Sequence, residues 1–238
     1  MKLLAFECSA KAASVAIVDG ERLLCEFYSN MGLTHSQTLL PMAKSAIESC
    51  GITLSDIDGF AISSGPGSFT GLRIGISAVK GLAIADNKPC VGVSTLYSMA
   101  LSQINSEKIV VSCMDARCRQ CYCAIFLSDG EKIIRISEDS ALSMEELCGK
   151  IKDANEKFGK SGIIVGDGAQ LFMNTAGQDL SFLRLADENL RYQSARYVAS
   201  AALPEFYAGN TVSAAELLPM YLRLPQAERE LKKKLKEN

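Results

Sequence analysis

One order of predicted elements occurs twice along this chain, and this repeat constrains the fold more than any other feature. Three short β-rich runs, a helix, a buried strand and a second helix are predicted within residues 2–85, and the same order starts again at residue 108. An internal repeat of this size indicates a duplicated domain. We therefore expect an α/β protein whose two halves meet at the polar stretch 103–107.

The predicted elements follow from residue alternation and helical periodicity. In the first half the strands are 2–8, 13–18, 22–28, 58–65 and 89–94, and the helices are 37–51, 70–85 and 95–104. In the second half the strands are 108–116, 121–127, 132–137 and 161–168, and the helices are 143–159 and 194–206. The chain ends in ERELKKKLKEN, whose alternating charges favour a solvent-exposed helix over an arm that binds tRNA.

The composition predicts a globular cytoplasmic protein. A net charge of -2 provides no global basic field to attract nucleic acid, so any RNA contact would be local or made through a partner. Glu7 interrupts the opening apolar run after too few residues for a signal peptide, and no run approaches the roughly 20 apolar residues of a membrane-spanning helix.

Nine cysteines, an odd number in segments that look like core, indicate reduced thiols. Cys113, Cys118, Cys121 and Cys123 are close enough in sequence to suggest the thiolate ligands of a metal. However, Cys121 and Cys123 lie two apart in a predicted strand, and Cys118 lies at a turn. This spacing favours small buried side chains on one strand face over a metal site.

The stretch GPGSFTGLRIG, residues 65–75, contains four glycines between a buried strand and a helix. Backbone amides at such a position can bind a phosphate. The stretch nevertheless lacks the lysine of a Walker loop, because Leu72 follows the third glycine. The first three glycines are also spaced two and four apart, whereas the dinucleotide fingerprint needs two and three. These departures favour close packing over phosphate binding.

The helix predicted at 70–85 is apolar nearly all round and should be covered on more than one side. Together with helix 37–51 it forms an apolar surface suited to another chain, unless the tail covers both helices. Glycines cost about 1 kcal/mol each in a helix but permit close approach, so Gly75→Leu should block the partner without unfolding the chain. The predicted contact residues are Leu39, Leu40, Met42, Ala43, Ala46, Gly71, Ile74, Gly75, Ala78 and Leu82.

Several stretches together resemble the TsaB family, also called YeaZ, the non-catalytic subunit of bacterial tRNA threonylcarbamoyladenosine (t6A) synthesis. These stretches are LLAFECSA, THSQTLLP, GPGSFTGLRIG, GVSTL, MDAR and LLPMYLR. The resemblance implies the actin-like ATPase superfamily (ASKHA) fold, with two ribonuclease-H-like domains and mixed sheets. We assign residues 1–104 and 105–208 to these domains, and 209–238 to a tail that packs partly on them.

The resemblance further implies a scaffolding and activating subunit with no active site of its own. Its partner would be a TsaD-type subunit, which transfers threonylcarbamoyl from threonylcarbamoyl-AMP to the adenosine beside the anticodon. A TsaE-type ATPase would join them, so that the complex uses ATP and this chain meets tRNA only indirectly. The chain itself would need no cofactor or metal, would have no membrane contact, and would form a homodimer when alone.

The alternative function is that of an independent actin-like ATPase or phosphotransferase. The family usually has aspartate where this chain has Glu7, and in active superfamily members that aspartate helps to hold metal and nucleotide, so Glu7 argues against this alternative. The residues after MDAR also differ from the family pattern. The candidate nucleotide or anion contacts are Glu7, Ser9, Gly65, Gly67, Ser68 and Asp167.

The chain has one histidine, His35, which bears on a further alternative, a metallopeptidase. A TsaD-type metal site takes a pair of histidines, and one histidine cannot form that pair. His35 lies in a turn that leads into a predicted helix. We therefore expect a hydrogen-bonded loop or capping residue rather than a catalytic one.

Overall fold

The computed structural model describes residues 1–223, which form eleven strands and seven α-helices. The strands are β1 (Lys2–Glu7), β2 (Ala13–Asp19), β3 (Arg22–Ser29), β4 (Gly59–Gly65), β5 (Cys90–Ser94), β6 (Ile109–Asp115), β7 (Gln120–Ser128), β8 (Ile133–Arg135), β9 (Ser140–Ser143), β10 (Gly162–Val165) and β11 (Leu183–Leu185). The helices are α1 (His35–Ser49), α2 (Phe69–Ile84), α3 (Thr95–Ala100), α4 (Met144–Phe158), α5 (Ala169–Asn174), α6 (Glu188–Arg191) and α7 (Ala195–Ala208).

Each half of the chain supplies one mixed sheet. The strand order is β3-β2-β1-β4-β5 in the first sheet and β11-β10-β6-β7-β8 in the second, where β9 also pairs with β7. In the first sheet β1 pairs antiparallel with β2 and parallel with β4. In the second sheet β6 pairs antiparallel with β7 and parallel with β10. The two halves thus share one topology, which confirms the predicted α/β repeat with mixed sheets.

The first sheet is buried on both faces, as strands with parallel partners usually are. Side chains alternate along β1, so that Leu4 and Phe6 pack with α1 and α2, whereas Leu3 and Ala5 pack with α7. The helix α7 comes from the second half of the sequence and belongs to the predicted second domain, residues 105–208. It lies on the first sheet, while the domain boundaries themselves stay a prediction.

The second sheet is covered in the same way. Ile109, Val111 and Cys113 of β6 pack with α4 and α5, and Val110 and Met114 pack on the opposite face with α3. Because α3 belongs to the first half of the sequence and α7 to the second, each half covers the sheet of the other.

The predicted long elements are present, whereas several short ones were missed. The structure adds β9, α5, β11 and α6, and it ends α3 at Ala100 with a 3-10 segment at Leu101–Ser106. Residues 209–223 contact both halves: Cys90 and Val212 form an antiparallel bridge in the first half, and Arg223 Nη1 donates to the carbonyl oxygen of Ala116 in the second half at 2.9 Å. The predicted exposed helix in ERELKKKLKEN lies outside the described residues. None of the helices in residues 1–223 is long and apolar enough to cross a membrane.

Candidate functional site

Three glycines of the stretch 65–75, namely Gly67, Gly71 and Gly75, pack against the turn that follows β1. A methyl group at Gly71 would overlap the carbonyl oxygen of Cys8, and one at Gly75 would overlap the Cys8 sulfur. A methyl group at Gly67 would lie 2.5 Å from the carbonyl oxygen of Ser9. The three glycines are spaced four residues apart and form one stripe that faces this turn, which we call the glycine stripe. Any larger residue in the stripe would overlap Cys8 or Ser9, so the close contact requires glycine.

Hydrogen bonds tie the same loop to the chain itself. The backbone N–H of Ser68 donates to the carbonyl oxygen of Ser9 at 2.6 Å, and the Ser68 hydroxyl caps α2 by accepting from the N–H of Gly71 at 3.2 Å. The Cys8 thiol donates to the carbonyl oxygen of Gly71 at 3.3 Å. The loop therefore packs closely on the chain, as its glycine spacing predicted.

This packing corrects half of the predicted contact surface. Gly71 and Gly75 are buried against the chain's own turn, and Leu39, Ala43 and Ala46 of α1 are buried in the first core. These residues have almost no exposed surface to offer a partner. The prediction was wrong for them because an apolar helix face does not reveal whether its cover comes from the same chain or another.

The remaining predicted contact residues lie outside the buried stripes of α1 and α2, and we call them together the α1–α2 patch: Leu40, Met42, Ile74, Ala78 and Leu82. Leu40 is 47% exposed, and the other four are half-buried. The tail covers a different side of α2, where Lys80 Nζ donates to the carbonyl oxygen of Ala215 at 3.0 Å. The sequence left open that the tail covers both helices, and the tail does cover that side of α2.

Glu7 lies at the end of β1 with no exposed surface. Its carboxylate accepts hydrogen bonds from the N–H of Ser9 at 2.6 Å and from the Ser63 hydroxyl. Burial raises the pKa of Glu7, although these hydrogen bonds act in the opposite direction. The predicted contact between Glu7 and a nucleotide is therefore corrected, because the carboxylate is enclosed by its own chain.

A cleft of about 700 Å³ lies between the two halves. Four of the predicted nucleotide or anion contacts share its lining, namely Ser9, Gly67, Ser68 and Asp167. Gly65 does not, since a methyl group there would overlap the carbonyl oxygen of Met220. The tail is held at this point by a bond from the N–H of Met220 to the carbonyl oxygen of Ser64 at 2.7 Å. The prediction for Gly65 is thus corrected.

Asp167 is one of two acidic groups that the second half contributes to the cleft. Its Oδ1 accepts a hydrogen bond from Gln193 Nε2 at 2.8 Å. Burial raises the pKa of Asp167, and the negative charge of Asp115, which also lines the cleft, adds to this effect. Asp115 in turn accepts from the N–H of Arg117 at 2.7 Å. Both carboxyl groups are therefore already engaged by the chain.

His35 begins α1, and its Nε2 lies 2.8 Å from the carbonyl oxygen of Ala10. A carbonyl oxygen only accepts, so Nε2 carries the hydrogen in this contact. The histidine thus links α1 to the turn after β1, which agrees with the predicted hydrogen-bonded role.

The cysteines of the second half lie as the strand pattern predicted. Cys113 of β6 is directly opposite Cys123 of β7, and both are buried together with Cys121, whereas Cys118 is exposed. Hydrogen bonding to Cys113 raises the pKa of Cys121, and hydrogen bonding to Cys121 raises that of Cys123. Among residues 1–223, no group of three or more histidine, cysteine, aspartate or glutamate side chains is placed to hold a metal.

Thiol reactivity should separate these cysteines. At pH 8 we expect Cys118 to react with an aromatic disulfide reagent roughly tenfold or more faster than Cys121 and Cys123, because the thiolate is the nucleophile and burial limits access. Stopped-flow absorbance on the native chain would measure the phases. Cys118→Ser should remove the fastest phase, and survival of that phase would contradict the assignment.

Two curated relatives that share the name TsaB match this chain over almost its whole length. A curated relative from Escherichia coli (strain K12), named tRNA threonylcarbamoyladenosine biosynthesis protein TsaB, is 31% identical over 94% of this chain and 95% of its own length. The chain belongs to the TsaB family. A second relative of the same name, from Haemophilus influenzae (strain ATCC 51907 / DSM 11121 / KW20 / Rd), is 29% identical to this TsaB-family chain over 94% of each.

The TsaB-family chain also carries a domain shared with TsaD. A family model described as TsaD, tRNA N6-adenosine threonylcarbamoyltransferase, matches residues 30–230. The relative named tRNA N6-adenosine threonylcarbamoyltransferase from Sorangium cellulosum (strain So ce56) is 29% identical over 71% of this chain and 52% of its own length. This chain is thus similar to about half of that relative.

Solved structures confirm the fold class of the TsaB-family chain. YeaZ from Pseudomonas aeruginosa superposes with a TM-score of 0.75 at 28% identity, over 93% of this chain and 99% of that one. A second Pseudomonas aeruginosa structure, described as an uncharacterized protein with similarity to peptidase YEAZ, gives the same TM-score at 27% identity. Component A of the Acidaminococcus fermentans (R)-2-hydroxyglutaryl-CoA dehydratase, at TM-score 0.52 and 10% identity, shows the fold alone.

Sequence reasoning missed an aromatic cluster at the mouth of the cleft. Arg73 Nε donates to the Tyr221 hydroxyl at 3.0 Å, and the rings of Phe69 and Tyr221 lie 4.9 Å apart. The Arg73 guanidinium lies 3.9 Å from the centre of the Phe69 ring. Phe69 and Arg73 belong to the glycine motif and Tyr221 to LLPMYLR. The only signal was two motifs far apart in sequence, and the path of the tail decides that they meet.

Proposed function

We propose that this TsaB-family chain is a non-catalytic subunit that supports and activates a TsaD-type threonylcarbamoyltransferase in cytoplasmic t6A biosynthesis. The names of the relatives supply the pathway, since the E. coli and H. influenzae proteins are both named for t6A biosynthesis. The likeness to a relative named as a threonylcarbamoyltransferase supports a pairing between two related subunits. Assembly of similar domains is common because similar surfaces can be complementary.

One observation carries the non-catalytic role: the place where an anion would meet the glycine loop is filled by the chain itself. Cys8 and Ser9 lie on the glycine stripe, and the Ser68 N–H is bonded to Ser9. The nearby carboxylate, Glu7, is enclosed and already accepts two hydrogen bonds. The glycine loop and the Glu7 carboxylate therefore stabilise the fold. The Ser68 N–H and the Glu7 carboxylate are already occupied by hydrogen bonds and are not free to bind a metal or a nucleotide.

The α1–α2 patch is the proposed contact with the TsaD-type subunit. Leu40 on α1 is 47% exposed, and Ile84 at the end of α2 is 70% exposed, so both helices present large apolar side chains to solvent. Large exposed apolar side chains on two neighbouring helices favour a protein partner. When the chain is alone, a second copy would cover the same surface as a homodimer. A TsaE-type ATPase would join the complex and use ATP, and this chain would need no cofactor of its own.

Reconstitution tests the proposal directly. Threonylcarbamoyl transfer from threonylcarbamoyl-AMP to tRNA would be measured with this chain alone, with its TsaD-type counterpart alone, and with both together with the TsaE-type ATPase and ATP. We expect transfer at a useful rate only from the combined proteins. Transfer by this chain alone would overturn the non-catalytic role, and ATP hydrolysis by this chain alone would favour the ATPase alternative.

A charge placed in the α1–α2 patch should weaken partner binding. We expect Leu40→Glu to lower the affinity for the TsaD-type subunit by roughly tenfold or more, because a buried carboxylate at an interface is left without a partner. Ala78→Arg should act in the same direction. Titration calorimetry would measure the affinity, and the transfer assay should lose activity in parallel.

Leu171→Glu is the matched control for the patch, because Leu171 is 42% exposed on α5 in the other half. It should leave the affinity and the melting temperature unchanged. An equal loss of affinity in Leu171→Glu, or full binding by both patch variants, would contradict the proposed surface.

A further inference from the structure

The mouth of the cleft carries a group of cationic side chains, which we call the basic rim: Lys11, Arg73, Arg117, Arg119 and Arg223. Lys11, Arg117 and Arg223 line the cleft itself. Arg73 lies beside the lining through its contacts with Phe69 and Tyr221. Arg119 is outside the lining, exposed two residues after Arg117 in the turn between β6 and β7. Of the ion pairs formed within residues 1–223, none involves a member of the basic rim.

The positive charge of the rim is only weakly opposed by the acidic groups beside it. Asp115 accepts a hydrogen bond from the Arg117 N–H, and Asp167 accepts one from Gln193. These two carboxyl groups are outnumbered by the cationic side chains Lys11, Arg117 and Arg223, which line the same cleft. The rim is therefore a local concentration of positive charge on a chain whose net charge is -2.

Aromatic rings stand among these cations. Phe69, Tyr122 and Tyr221 line the cleft, and Tyr221 is 38% exposed. Exposed rings beside arginine and lysine are the combination that binds single-stranded nucleic acid, because bases stack on the rings and phosphates meet the cations. A cleft of about 700 Å³ has room for a few stacked groups and is too small for a duplex.

The N-terminus of α2 opens at the same place. This helix has 16 residues and begins at Phe69, and Ser68 and Thr70 at its first turn also line the cleft. The Ser68 N–H is bonded to Ser9 and the Gly71 N–H to the Ser68 hydroxyl, so the helix end itself supplies only the position of these side chains beside the rim. The cations of the rim and the rings beside them thus favour the same kind of ligand.

We infer that the basic rim and its rings bind a single-stranded segment of RNA, with backbone phosphates at the arginines and lysine and a base stacked on Tyr221. The choice of RNA rests on the proposed function, which brings this chain into a complex that acts on tRNA. The inference goes further than that function, because it gives this chain a direct contact with the RNA. The contact would involve Arg117, which belongs to the MDAR motif, and Arg119, which lies in the stretch 118–121 where the sequence departs from the family pattern.

Binding of a fluorescein-labelled single-stranded oligoribonucleotide of mixed sequence to the full chain tests the inference. Fluorescence anisotropy would be followed over a range of salt concentrations, with the same RNA as a duplex and with ATP as competitors. We expect the double variant Arg117→Glu, Arg119→Glu to bind roughly tenfold or more weakly at low salt. Its plot of log affinity against log salt should be shallower by about 1.4, since each phosphate contact on a single strand contributes about 0.7.

The matched control is Lys152→Glu with Arg184→Glu, which changes the net charge equally at exposed positions outside the cleft lining. It should weaken binding by less than about twofold, because screening limits the reach of exposed charges. Tyr221→Ala should weaken binding by about tenfold, and Tyr221→Phe, which keeps the ring, should bind like the unaltered chain.

Several outcomes would overturn the inference: equal losses in the rim and control variants, displacement of the RNA by ATP at comparable concentrations, or a preference for the duplex. Binding of the rim variant to the TsaD-type subunit would be measured alongside. Retained partner binding with unchanged RNA affinity refutes the RNA contact and leaves the proposed function intact. Absence of partner binding in the unaltered chain refutes the proposed function instead. The RNA titration of the chain alone then still decides the RNA contact by the difference between the rim and control variants.

Discussion

Gly71→Ala should cost about 3 kcal/mol or more of folding stability. The added methyl group would overlap the carbonyl oxygen of Cys8, which is backbone and cannot rotate away as a flexible side chain can. Relief would require moving the turn after β1 away from α2, and that turn also receives the bond from Ser68 to Ser9. Urea unfolding followed by circular dichroism would measure the loss, which is a large part of the roughly 5–15 kcal/mol that stabilises a typical domain.

Gly81→Ala in the same helix provides the matched control. No atom lies within 4 Å of the position where its methyl group would be placed. Alanine is favoured over glycine inside a helix by about 0.5–1 kcal/mol, so this variant should be slightly more stable than the unaltered chain. Opposite signs for the two substitutions are therefore expected. Equal effects would mean that the turn after β1 does not lie on the glycine stripe.

The same contact reverses the expectation for Gly75→Leu. The sequence predicted a folded chain that fails to bind its partner, whereas a side chain at Gly75 would overlap the Cys8 sulfur and lie 2.8 Å from Ile62 Cδ1. We now expect this variant to unfold. Leu40→Glu, on exposed surface, is the appropriate test of the partner.

Long periodic elements were predictable from the sequence because their burial pattern repeats several times. The meander of each half and the helices α1, α2, α4 and α7 were found in this way. The missed elements β9, α5, β11 and α6 have three to six residues each, too few for a period to stand out. The repeat itself was therefore readable, and the short connections within it were not.

The covering of the sheets was not predictable, because periodicity gives the buried face of a helix and not its cover. α7 follows the second sheet in sequence, yet Val198 and Leu203 pack with Leu3 and Val91 of the first sheet. For the same reason the glycine stripe of α2 was expected to meet another chain. Tail residues 213–221 were equally uncertain, and their contacts with α2 and with Ser64 appear only in three dimensions.

The gathering of the cleft residues has a physical reason that the sequence contains in part. Ser9 and Gly67 follow β1 and β4, which are parallel neighbours, and Asp167 follows β10, which is parallel to β6. The carboxyl ends of parallel strands meet at one edge of their own sheet, which brings Ser9 and Gly67 together. Asp167 belongs to the other sheet and joins them only because both sheets border the cleft. The depth of Glu7 was beyond prediction, because it depends on how closely the glycine stripe seals the turn.

Glu7→Gln should make the folded chain more stable above neutral pH. Burial holds the pKa of Glu7 above its ordinary value of 4.5 in the folded state, so ionisation at higher pH favours the unfolded chain. Glutamine removes this ionisation. Its carbonyl oxygen can still accept from the Ser9 N–H, and its amide can donate to the Ser63 hydroxyl, which also accepts hydrogen bonds.

The pH dependence of folding stability distinguishes the unaltered chain from Glu7→Gln. Between pH 4.5 and the raised pKa of Glu7, the folded chain keeps a proton that the unfolded chain has released, so stability falls as pH rises. The slope reaches at most about 1.4 kcal/mol per pH unit for one group. Urea midpoints from pH 4 to pH 9 should therefore diverge between the unaltered chain and Glu7→Gln, whereas Glu156→Gln, at an exposed position on α4, should follow the unaltered chain.

The opposite result would carry a functional meaning. A loss of stability in Glu7→Gln that grows with pH would mean that the folded chain prefers the ionised carboxylate, because some positive charge compensates it in place of the two hydrogen bonds. A carboxylate kept ionised at the end of β1 is what a nucleotide-binding member of the fold would need. That outcome would favour the ATPase alternative, whereas a gain of stability supports a residue whose role is to seal the turn beneath the glycine stripe.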